Sequence, residues 1–125
     1  MRLGSATAGQ ADRTRALVTY HVVGRRTVLA VSGEIDLDSV AVLAGAVDSA
    51  LAGGAAELWI DLADTRFMDS TGLHVLLDTR ARTRDLNRRL EIICPAGPVR
   101  RLFDVAGVTE HLPVHHDRAA AHRSG

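Results

Sequence analysis

The stretch LWIDLADTRFMDSTGLHVLL, residues 58–77, decides how the chain is read. It opens on Leu58 to Leu62, an apolar run broken only by Asp61, which predicts a short buried strand. It closes on Leu73, Leu76 and Leu77, which with Ala81 recur at helical spacing. Between them lies Phe67-Met68-Asp69-Ser70-Thr71-Gly72-Leu73. A strand running straight into a helix is the unit of a parallel α/β sheet. Ser70 then falls at the strand-to-helix junction. Such junctions, at the carboxyl ends of strands, are where open α/β sheets bind ligands and partners.

The same grammar extends outward in both directions. Upstream, Leu17–Val23 and Val28–Val31 are apolar runs separated by Gly24 and the Arg25–Arg26 pair, which predicts a hairpin. Asp36, Asp38 and Ser39 supply cap residues for a helix with apolar positions at Val40, Leu43, Ala44, Val47 and Leu51. Gly53 and Gly54 stop it. Downstream, Asp78 with Arg82 and Asp85 with Arg89 sit four apart with the acid first, the favourable order on a helix. Asn87 ends that helix. Leu90–Cys94 reads as a strand. Gly97–Pro98 opens a third helix with proline at its first position, where the missing N–H costs little. Val99, Leu102, Phe103 and Ala106 form its apolar face, and Gly107 closes it. A last strand is predicted within 111–115. The order is strand, strand, helix, strand, helix, strand, helix, strand. The fold class is therefore α/β: one domain with a mixed, mostly parallel sheet, an N-terminal hairpin and crossover helices. Residues 1–14 are predicted to be a flexible tail, 15–117 the domain, and 118–125 a second flexible tail.

Composition narrows the function. The chain has 125 residues, a size that suits one domain, and its hydrophobic fraction of 46% supports a core. The formal net charge is zero and aromatics are 3%, which disfavours nucleic acid and anionic lipid as partners. The one cysteine, Cys94, excludes an intramolecular disulfide and reads as a small core residue. No apolar run reaches membrane-spanning length. The cytoplasm is the expected compartment.

Asp69-Ser70 before a helix can be explained as capping alone. Ser70 is a good N-cap residue, Asp69 offsets the helix dipole, and Gly72 leaves room for another molecule near the first turn. Asp36, after a strand and before a helix, can cap as well. Three segments taken together say more. Phe67 to Leu73 resembles the phosphoacceptor motif of the STAS domain family, in its small single-domain members, the bacterial anti-sigma factor antagonists. Ser32-Gly33-Glu34-Ile35-Asp36 is similar to that family's segment after the second strand, and Val99 to Val108 to its third helix. The resemblance runs from about Leu17 to His115.

The resemblance implies a partner-switching regulator with no catalytic activity and no cofactor of its own. Ser70 would accept phosphate from a serine kinase that is itself the anti-sigma factor, with Thr71 as the secondary acceptor. Asp36 and Asp69 would flank the site, Asp36 orienting the Ser70 hydroxyl. Gly72 and His74 would lie on the partner face. The unmodified protein would bind the kinase and so free a sigma factor, which it meets only indirectly. A serine phosphatase would reset it. Charge makes such a switch workable. A phosphoserine carries about −1.5 to −2 charges at neutral pH. At roughly 6 Å from a carboxylate and an effective dielectric near 20, that costs on the order of 5 kcal/mol before screening.

The other candidates are weaker. His111, His115, His116 and His122 match no common zinc spacing and read as solvated. The arginines of the second helix are interrupted by Asp78 and Asp85 and lack aromatic neighbours, so they read as a solvated face. A hydrolase would want Gly-x-Ser-x-Gly around its nucleophile, and Met68 stands where the first glycine should be. A STAS module that scaffolds a complex without being phosphorylated is the second functional reading.

Overall fold

The computed structural model describes residues 16–124. The predicted tail at residues 1–14 lies outside them. A five-stranded sheet runs in sequence order: β1 (Ala16–Val23), β2 (Arg26–Ile35), β3 (Glu57–Met68), β4 (Arg89–Ile93) and β5 (Val114–His115). β1 pairs antiparallel with β2, and β2 through β5 are parallel. Helix α1 (Val40–Ala52) crosses from β2 to β3, α2 (Ser70–Asp85) from β3 to β4, and α3 (Pro98–Ala106) from β4 towards β5. The predicted hairpin, parallel sheet and three crossover helices are all present.

Strand alternation divides the core. Leu29, Val31, Leu58, Ile60, Leu90 and Ile92 join the larger cluster, which takes in Leu43 and Val47 of α1, Leu73 and Leu76 of α2, and Phe103 of α3. Trp59, one residue out of phase with Leu58 and Ile60, forms a smaller cluster with Val28, Ile93 and Ala121. Ala121 belongs to α4 (Arg118–Ser124). The segment from 118, predicted to be a tail, is instead a short docked helix. The fully buried Ala121 fits against Trp59, and Arg118 makes two bonds to Asp61 Oδ2, at 2.9 and 2.8 Å. Alanine-rich sequence hides this, because one alanine is all the apolar surface the contact needs.

Four further expectations change. β3 runs six residues beyond Leu62, to Met68. Its register against β2 slips twice, between Ala30 and Ser32 and between Gly33 and Glu34, so it is bulged. Side chains satisfy the bulged backbone: Asp61 accepts from the Ala63 N–H at 2.9 Å, and the Thr65 hydroxyl donates to the Val31 carbonyl at 2.9 Å. The Asp85–Arg89 pair does not lie on one helix. Asn87 takes a left-handed φ of 57°, and Arg89 starts β4, where it bonds Glu91 at 2.6 Å. The α2 stripe continues through buried Thr79 and Thr83 rather than the exposed Ala81. Their hydroxyls donate back to the carbonyls of Val75 and Thr79. The last strand is two residues long, Val114–His115.

Cys94 lies just past β4 in the core, and burial pushes its thiol up to about 11. It is therefore protonated at neutral pH and a poor nucleophile. Native protein should resist iodoacetamide and react at this residue only after unfolding, as mass spectrometry would report. Rapid native labelling would contradict that burial.

Candidate functional site

The two central strands end together. Ile35 pairs with Met68, and the Asp69 N–H continues the ladder by donating to the Ile35 carbonyl at 3.1 Å. At Asp69 the chain turns into α2. The N-cap is Asp69, one residue before the position predicted, with extended φ and ψ of −105° and −170°. Asp69 Oδ1 accepts from the Thr71 N–H at 2.9 Å and from the Thr71 hydroxyl. A carboxylate suits this place better than a hydroxyl, since it accepts both bonds and faces the positive end of the helix.

This cap sorts the hydroxyls. Thr71 is half-buried with its Oγ1 committed to Asp69. Ser70 is the first helical residue and is exposed, and its hydroxyl bonds no other described residue. His74, one turn on, is exposed. No described histidine hydrogen-bonds Ser70, so the nucleophile–base pair of a hydrolase is not assembled among the described residues.

Asp36 sits at the end of β2, beside this turn. Its Oδ1 accepts from the backbone N–H of Asp38 at 3.0 Å and from both the N–H and Oγ of Ser39 at 3.1 Å. The buried Ser39 hydroxyl also donates to the Glu34 carbonyl at 2.7 Å. Asp36 thus fixes the loop into α1, and the direct bond to Ser70 is not among the described hydrogen bonds.

Gly72 corrects an expectation. It is buried, and it faces inward. A Cβ there would lie 2.7 Å from Met68 Cγ and 2.8 Å from Ile35 Cγ2. The missing side chain lets α2 close on the ends of β2 and β3. It makes no room for a partner. Gly72→Ala should cost about 1–3 kcal/mol in denaturant unfolding, because branched Ile35 gives way poorly. A loss under about 0.5 kcal/mol would show that the site tolerates the methyl.

Two apolar residues complete the surface. Leu37, between Asp36 and Asp38, is 75% exposed, and Phe67, beside Met68, is 47% exposed. Phe67 opens the sequence motif, whereas Leu37 is passed over, although a leucine in an acidic loop is a usable signal. Ser70 is therefore displayed at the mouth of α2, among carboxylates and beside apolar surface. Among the described residues no group of three His, Cys, Asp or Glu could hold a metal, and no helix is long and apolar enough to cross a membrane.

The profile of the family described as "Mlab, STAS domain" matches residues 18–114. The chain belongs to the STAS domain family. Solved structures agree on the fold. An anti-sigma factor antagonist from Mycobacterium paratuberculosis superposes with a TM-score of 0.81 at 23% identity, covering 87% of this chain and 92% of that one. The anti-sigma factor antagonist SpoIIAA in its unphosphorylated form gives 0.69 at 22% identity, over 86% and 95%. SpoIIAA of Bacillus in the phosphorylated form gives 0.64 at 21%, over 86% and 99%. Comparison with curated proteins gave no match.

Proposed function

We propose that this chain is an anti-sigma factor antagonist whose unphosphorylated form binds a serine-kinase anti-sigma factor and so releases a sigma factor. Phosphate on Ser70 ends that binding, and a serine phosphatase restores it. The domain itself catalyses nothing: ATP, metal and the transfer step belong to the kinase. The protein works in the cytoplasm and meets its sigma factor only through the kinase.

One observation carries this reading: within a STAS fold, Ser70 is the solvent-facing hydroxyl of the β3–α2 turn, while the neighbouring Thr71 hydroxyl is held by Asp69. Structures of SpoIIAA in both unphosphorylated and phosphorylated forms support a two-state cycle by analogy. Leu37 and Phe67 supply apolar surface for docking, and Asp36 and Asp69 supply charge that resists a phosphate in a dry interface.

The test is to isolate the bound partner with and without ATP and locate the phosphate by mass spectrometry. The expected result is a kinase retained without ATP, released with it, and a single phosphate on Ser70. Ser70→Ala should retain the partner in both conditions. A partner kept by the wild type in ATP, with Ser70 unmodified, would favour a scaffold that is never switched.

A further inference from the structure

The two edges of the sheet are unlike. β5 is two residues long, too short to template another strand, whereas β1 has eight residues. Natural edge strands are usually blunted by lysine, proline, bulges or shortness. β1, ALVTYHVV, has no proline, lysine, arginine or carboxylate, and it pairs with β2 from Ala16↔Gly33 to Val23↔Arg26 without a register shift. Among the described residues nothing covers its outer edge. Three of its side chains are large, apolar and exposed: Leu17 at 39%, Val22 at 71% and Val23 at 63%.

We propose that β1 pairs antiparallel with β1 of a second copy about a two-fold axis at Tyr20, joining the two sheets into one. The strand is self-complementary about that residue. With the axis there, Leu17 lies opposite Val23 of the other copy, Val18 opposite Val22, and Thr19 opposite His21. Exposed Leu17 and Val23 meet each other twice across the axis, Val22 lies over the buried Val18 position, and no charges collide along the edge. Moving the axis to Thr19 sets Leu17 against His21; moving it to His21 sets Val23 against Thr19. An unrelated strand would not require this symmetry, which is why the occupant is a second copy. The neighbouring helix leaves room: apart from Asp48, the exposed positions of α1 are Ala41, Gly45, Ser49 and Ala52.

The arrangement goes beyond the phosphorylation switch and does not depend on it. The axis reverses strand direction between copies, so the two Ser70 turns point to opposite ends of the joined sheet. Each can engage its own partner, which makes the antagonist bivalent.

Sedimentation velocity of the full chain between about 1 μM and 1 mM tests the proposal. The wild type should shift from monomer to dimer within that range. T19K/H21K sets like charges across both pairs and should raise the dissociation constant about 100-fold or more. T19K/H21E sets opposite charges across the same pairs and should restore the dimer. Circular dichroism checks folding, and if T19K/H21K unfolds, V22K at the exposed edge gives the same reading. A wild type that stays monomeric, a dimer unmoved by T19K/H21K or V22K, or a T19K/H21E protein that stays monomeric would each overturn the assignment.

Discussion

Phosphate on Ser70 should weaken binding to the serine-kinase anti-sigma factor by more than about 100-fold, with little change in the fold of the free domain. The factor corresponds to roughly 3 kcal/mol. It follows from where the charge falls. In the free protein the exposed Ser70 side chain would leave its phosphate in water, where high dielectric and salt screen Asp36 and Asp69. The first turn of α2 even favours it, by about 0.3–2 kcal/mol. Docking removes that water. The dianion must then be desolvated beside two carboxylates and the apolar Leu37 and Phe67. Isothermal titration of the phosphorylated and unmodified forms against the kinase would measure the loss, and amide spectra of the free forms would test the unchanged fold. Ser70→Asp, with half the charge and a shorter reach, should lose less. Equal affinities of the two forms would remove charge as the cause. A wholesale rearrangement of the free phosphoprotein would replace the local mechanism with a conformational one.

The fold was legible wherever one period governed a segment. α1 and the hairpin follow directly from their apolar spacing, and Pro98 marks the start of α3 as its missing N–H requires. Reading failed where two rules overlapped. The bulges of β3 break its alternation, so the apolar run that predicts the strand stops at Leu62 although the strand continues to Met68. Thr79 and Thr83 count as polar in any periodicity, yet they are buried because each satisfies its hydroxyl on its own helix. At the site, residue types located the turn, but a serine and an aspartate are both good caps. Only geometry separates Asp69, which caps, from Ser70, which is displayed. Gly72 shows the same ambiguity: a glycine beside a functional serine suits an approaching partner or an approaching strand, and here Ile35 and Met68 occupy the space.

Trp59→Ala should cost about 3–5 kcal/mol and release α4 while leaving the Ser70 surface intact. Trp59 is buried on the side of the sheet away from Leu58 and Ile60, and it organises nearly everything there. The Arg26 guanidinium lies 3.9 Å from the ring centroid and that of Arg89 5.9 Å. The His122 ring meets it edge-on at 5.2 Å, and Nε1–H donates to Glu57 at 3.3 Å. Ala121, buried on α4, packs in the same cluster. Removing the indole takes away apolar burial and a cation–π contact worth about 0.5–2 kcal/mol, and it opens a cavity that Val28 and Ile93 cannot fill. The polar contacts that remain to α4 include the partly exposed Arg118–Asp61 pair, the exposed 3.0 Å hydrogen bond between Arg26 and His122, and the 3.2 Å bond from Arg89 to the Ala121 carbonyl. Surface pairs of that kind contribute about 0–1 kcal/mol, too little to keep seven residues helical. In hydrogen exchange the α4 amides should therefore lose protection first, with the α2 amides following global stability. Trp59→Phe, which keeps one aromatic ring but loses the pyrrole half of the indole with its Nε1 bond, should cost less than Trp59→Ala, about 1–3 kcal/mol. Kinase binding should survive both changes, because Trp59 lies near the start of β3 and Ser70 just beyond its end. A Trp59→Ala protein that loses less than about 1 kcal/mol, or keeps full protection in α4, would mean that the helix is anchored by something other than the indole.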